Sequence, residues 1–151
     1  MNQLTFVGLS ETAQLLEKTQ GSILERYRQA VTVSRQELLD SIFEVWQAAD
    51  EAWKVGEGEQ TIREEVMEAA CRLVQALPLG CQLPSVTGEP DGHISFEWYR
   101  NPRRLLTVSV GADNRLHWAA LIGSEDPRGS CRFADRIPKS LLYYIARVYG
   151  G

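Results

Sequence analysis

An α+β domain is the fold class this sequence predicts: N-terminal helices and a C-terminal helix packed on a three- to four-stranded antiparallel meander sheet. Three observations predict it. Up to Leu77 the apolar residues recur at the 3.6-residue period of a helix. From His93 to Leu121 they switch to strict alternation, in three runs separated by turn residues. After Pro138, Leu141, Leu142, Ile145 and Val148 return to helical spacing. At 151 residues, 44% hydrophobic and 24% charged, the chain is large enough to bury a core without staples.

Residues 1–9 read as extended or loose. Ser10 is placed to cap a helix with Glu11 at the positive end of its dipole. Leu15, Leu16, Ile23, Leu24, Tyr27 and Val31 give its stripe, with a break expected at Gly21 because Gly costs about 1 kcal/mol against Ala there. Ser34 with Glu37 forms a capping box for a second helix through Leu38, Leu39, Ile42, Phe43, Trp46, Ala49 and Trp53. The first segment fits poorly into the main fold. The chain therefore divides into an N-terminal helical arm, residues 1–34, and an α+β domain, residues 35–151.

Gly56-Glu57-Gly58-Glu59 is a loop, and its acidic residues repel phosphate. Thr61 with Glu64 is again a capping box, opening a helix with Ile62, Val66, Ala69, Ala70, Leu73, Val74 and Leu77 on its apolar face. Pro78 and Gly80 end it. Residues 78–92, rich in Pro and Gly, read as a crossing segment between layers. In the first strand Ile94, Phe96 and Trp98 share one face, opposite His93, Ser95, Glu97 and Tyr99. Asn101-Pro102 turns the chain into a strand with Leu106, Val108 and Val110 inward. Gly111–Asn114 turns it again, into Leu116, Trp118 and Ala120. A polar loop, 123–129, precedes a short fourth strand at 130–133. Pro138 suits the first turn of the last helix.

These landmarks resemble a widespread group of small bacterial proteins of unassigned function. A Trp-bearing helix ends in Trp53-Lys54-Val55-Gly56-Glu57-Gly58. A helix to Leu77-Pro78 follows, then Pro84 and Val86, then the string Pro90-Asp91-Gly92-His93-Ile94-Ser95-Phe96-Glu97-Trp98. The resemblance covers roughly residues 40–148. The group often carries Trp-Asp-Gly where this chain has Trp53-Lys54-Val55. The resemblance implies a fold and a bacterial cytosolic origin, and it supplies no activity.

Charge and motifs exclude more than they assign. Residues 1–90 hold 14 Asp/Glu against 7 Lys/Arg, and residues 91–151 hold 6 against 9. The excess of three cations in the second part is small for a nucleic-acid binder, and the pI of about 5.2 opposes one. No run approaches the ~18 apolar residues that span a bilayer. No signal peptide is recognisable, and Cys71, Cys81 and Cys131 are odd in number without CxxC spacing, so a cytoplasmic, reduced protein is expected. P-loop, dinucleotide, HExxH, nucleophile-elbow and paired zinc-cysteine motifs are missing, and neither cofactor nor metal is expected.

Three functions remain. The first is a non-enzymatic protein-interaction module with a protein partner or a second copy, favoured by an aromatic-rich amphipathic half and the poorly accommodated arm. The second is a small metal-dependent enzyme or hydrolase using Glu97 with His93 or His117. Its obstacle is spacing, since i and i+4 on a strand point the same way about 13 Å apart. The third is a single-strand nucleic-acid binder using Arg100, Arg103 and Arg104 beside Tyr99, against the plainer reading of a hairpin tip kept soluble by charge. For the four tryptophans the plainer reading is a shared core.

Overall fold

The computed structural model describes residues 11–58 and 60–150. The cap expected at Ser10 and the extended start at 1–9 lie outside the described residues, as do the side chains of Leu16, Tyr27 and Val31. The order is α1 (Glu11–Lys54), α2 (Glu64–Ala76), β1 (Ser85–Gly88), β2 (Ile94–Asn101), β3 (Arg104–Val110), β4 (Arg115–Ile122), β5 (Arg128–Arg132) and α3 (Lys139–Tyr149). This is the expected α+β class. The chain divides after Val33 into two compact units.

The break expected at Gly21 and the restart expected at Ser34 do not occur; α1 runs without interruption from Glu11 to Lys54. A lone Gly costs only about 1 kcal/mol, too little to end a long helix. The hydroxyls of Thr19 and Thr32 bond back to the carbonyls of Leu15 and Arg28, four residues earlier, so they ride on the helix instead of competing with it.

In the second unit, residues 34–54 run antiparallel to α2. Near one end Arg35 donates to the carbonyls of Gln75 (3.3 Å) and Leu77. Near the other, Trp46 Nε1 donates to the carbonyl of Ile62 at 3.1 Å. Leu38 and Ile42 enter the core between these two ties. The Thr61–Glu64 capping box is not formed. The N-cap is Arg63, without a side-chain cap bond. Ile62 is buried and bonded to Trp46, which holds the chain there and lets the helix start only beyond it.

The sheet has five strands in the order β1-β2-β3-β4-β5, all antiparallel, rather than three or four. The extra strand is β1, inside the stretch expected to be only a crossing segment. Flanking Pro84 and terminal Gly88 masked its short Val86-Thr87 pattern. Each of the first three hairpin turns is fixed by one Asx side chain that accepts the backbone N–H two residues on. Asp91 takes that of His93, Asn101 that of Arg103, and Asp113 that of Arg115.

Alternation on β2 and β3 is as expected. Ile94, Phe96, Trp98, Leu106, Val108, Val110 and Leu116 are buried, covered by α2 and α3. Trp118 departs from the expectation. It is only partly buried, its ring crossing the bare backbone of Gly129 on the edge strand and packing on Tyr144 of α3 at 4.9 Å. The four tryptophans therefore do not form one core. Trp98 is buried, Trp46 and Trp118 are partly so, and Trp53 is exposed.

Gly92 joins the two layers. Its φ of 85° is left-handed, and an added Cβ would lie 2.9 Å from the carbonyl oxygen of Thr61. Gly92→Ala is expected to lose at least about 1–2 kcal/mol from the left-handed conformation alone. A urea midpoint measured beside Gly56→Ala, which has the same sign of φ but open space around it, separates the clash from the dihedral cost.

Candidate functional site

The five residues from Glu89 to His93 close the β1–β2 hairpin. The Glu89 N–H donates to the His93 carbonyl at 2.9 Å, and that of Gly92 to the Glu89 carbonyl at 3.1 Å. This folding brings alternate side chains together. His93 Nδ1 lies 3.1 Å from Asp91 Oδ2 and 3.8 Å from Glu89 Oε2, and one donor atom from each residue lies within 4.8 Å of the other two. Among the described residues this is the one group able to hold a metal ion.

Neighbouring strands set the group in place. Ser95 on β2 is buried although it has outward parity, because Glu89 folds over it and accepts its hydroxyl proton. Ser109, its cross-strand partner on β3, donates to the other Glu89 oxygen at 3.3 Å. The His93 ring lies on the bare backbone of Gly111, where a Cβ would come within 2.5 Å of Nε2. A partly open cavity of about 420 Å³, lined by Val45, Ala49, Ala52, Gly58, Gln60 and Pro90, adjoins Glu89 and is lined by neither Asp91 nor His93.

The residues picked out by the sequence scatter. Glu97 is exposed on β2 opposite Thr107, and no hydrogen bond or ion pair joins it to either histidine. His117 pairs with Asp113 at 2.9 Å, a bond that lowers the Asp113 carboxyl below its usual range. His93 belongs to the turn. The three are not brought together.

The arginine cluster also divides. Arg100 donates to the Tyr149 carbonyl at 2.7 Å, and Arg104 to the carbonyls of Arg147 (3.0 Å) and Gly150. Both guanidiniums thus serve the last turn of α3, where cations complement the helix dipole. Arg103 and Tyr99 are exposed beside them.

Sequence reasoning missed Glu89 and Asp91 as partners of His93. The legible signal was Glu89-Pro90-Asp91-Gly92-His93, with ligand types at every second position across a Pro- and Gly-bearing turn. It differs from the zinc spacings built on Cys and His.

The three cysteines are free, partly buried thiols. Burial pushes each of them up, for Cys71 reinforced by Glu68 and for Cys81 and Cys131 opposed by Arg35 and Arg115. A raised thiol is less ionised at neutral pH and a poorer nucleophile. Ellman's reagent at pH 7.5 is expected to label all three more slowly than a free model thiol, with rates rising as pH rises. A fast-reacting cysteine would identify an activated thiol.

No helix among the described residues is long and apolar enough to cross a membrane. Comparison with protein-family models, with curated proteins and with solved structures finds no match.

Proposed function

We propose that this chain is a non-enzymatic protein-interaction module that pairs with a second copy of itself through residues 11–33 of α1. The observation that carries this reading is the exposure of Leu15 (65%), Ile23 (60%) and Val33 (56%). At 100° per residue these three lie within about 80° of one another around the helix. Single exposed apolar residues need no explanation, but three on one side of a helix do, even with Arg26 between them and Leu24, 56% exposed, on the opposite side. Helices in water draw most of their stability from packing such a face.

Charge favours a second copy over a strongly charged partner. Residues 11–33 hold Glu11, Glu17 and Glu25 against Lys18, Arg26 and Arg28. Two balanced segments meet without net repulsion, and a two-fold pair presents the same apolar residues on both sides. The enzyme reading has less support, because Glu97, His93 and His117 do not converge. The nucleic-acid reading loses Arg100 and Arg104 to the end of α3.

Light scattering coupled to size exclusion, across a concentration series, tests the proposal. A mass rising from 17.0 kDa toward twice that value supports it. A monomer at every concentration up to about 100 μM, where even a weak pair with Kd near 10 μM would form, rejects it.

A further inference from the structure

We propose that Glu89, Asp91 and His93 form a binding site for a divalent first-row transition cation of the zinc or manganese type at the β1–β2 turn. The site is independent of the pairing of residues 11–33.

Geometry comes first. A cation bound at about 2.0–2.2 Å with tetrahedral angles holds its donors roughly 3.3–3.6 Å apart. The distances from His93 Nδ1 to the two carboxylates, 3.1 and 3.8 Å, bracket that spacing. The three donor atoms lie within 4.8 Å of one another, so side-chain adjustment alone brings them to one cation.

An ordinary hydrogen-bonded group explains the arrangement less completely. Nδ1 carries at most one proton, and Asp91 Oδ2 at 3.1 Å is placed to take it. Glu89 Oε2 at 3.8 Å is beyond hydrogen-bond reach, yet it is aimed at the same nitrogen. Two carboxylates converge on one nitrogen that bonds only Asp91, while Glu89 is held by the Ser95 and Ser109 hydroxyls. A divalent cation at their centre accounts for the approach of Glu89 to Nδ1, which its serine bonds do not require.

Each ligand is separately held. The Ser95 and Ser109 hydroxyls, from two strands outside the turn, bond the two Glu89 oxygens. Asp91 uses Oδ1 on the His93 N–H at 3.1 Å and keeps Oδ2 for the cation. Gly111 leaves the imidazole a flat seat that any larger residue would fill. Outer contacts of this kind orient ligands in metal sites. Asp91 is exposed, so solvent water can complete the coordination. One imidazole and two carboxylates suit zinc or manganese better than calcium, which takes six to eight oxygens at about 2.3–2.6 Å.

The experiment is a calorimetric Zn²⁺ titration of the chelator-treated full chain, with Glu89→Gln, His93→Gln, Ser109→Ala and His117→Gln. Thermal melts by circular dichroism establish that each variant is folded. One ion per chain is expected. Glu89→Gln and His93→Gln should each weaken binding at least tenfold. Ser109→Ala should weaken it about tenfold, as lost outer contacts do. His117→Gln, remote and tied to Asp113, should leave it unchanged. A background with Cys71, Cys81 and Cys131 replaced by Ser tests the thiols as the alternative ligands. Zinc binding that survives there and fails in His93→Gln supports the site. Binding that fails without the cysteines, binding that persists in both Glu89→Gln and His93→Gln, or no zinc bound at all overturns it.

Discussion

Trp98→Ala is expected to cost about 3–5 kcal/mol of folding stability, the range for a large aromatic removed from a packed core. Trp98 is 1% exposed on the inner face of β2, among Phe96, Leu106 and Val108. Its indole also donates to the Gln82 carbonyl at 2.7 Å, tying the segment after α2 to the sheet. Natural domains are stable by only about 5–15 kcal/mol, so the loss is a large fraction of the whole. Trp98→Phe keeps most of the volume but leaves the Gln82 carbonyl only the weak Cys81 thiol as donor, for an expected cost of about 1–3 kcal/mol. Glu97→Ala, next in the strand on the open side, should change stability by less than about 0.5 kcal/mol. Urea unfolding of the three variants checks the register of the sheet directly. Equal costs for Trp98→Ala and Glu97→Ala would contradict it, because a one-residue slip exchanges the faces.

The second large effect concerns association. A variant carrying Leu15→Gln, Ile23→Gln and Val33→Gln together is expected to weaken pairing by a factor of about 100 or more. Each buried aliphatic side chain contributes roughly 1.5–3 kcal/mol, and each appears twice in a two-fold pair. Circular dichroism should show helix content falling in the variant, because residues 11–33 lose the surface that stabilises them. The urea midpoint of the remaining domain should not move, since its core is built from residues beyond Val33. Unchanged mass and helix content would mean that these side chains face no partner.

The sequence carried the fold further than the site, for physical reasons. Period-two alternation placed Ile94, Phe96 and Trp98 inward because the sheet has one covered face, and neighbouring strands repeat the same parity. The short β1 was hidden because four residues beside Pro84 and ending in Gly88 leave too little pattern to read, while their pairing with β2 is non-local. No helix starts at Ser34, because α1 runs through it, and the capping box at Thr61 is not formed because the tie of Trp46 to Ile62 holds the chain ahead of α2. Trp118 has the right parity for the core but lies next to a short edge strand, a position that alternation alone does not reveal. At the candidate site only His93 was singled out. Strand spacing argued correctly against a direct pair with Glu97, but the turn that brings Glu89 and Asp91 to His93 depends on Gly92 and its left-handed backbone.

Hydrogen exchange of the backbone amides of residues 11–33, measured on the full chain across a concentration series, tests the central claim most directly. Pairing through this helix predicts protection that grows with chain concentration, following the rise in mass, while amides of β2 and β3 keep the same protection throughout. Protection of residues 11–33 that stays constant as concentration changes, or that is missing at concentrations where the mass has doubled, would contradict it.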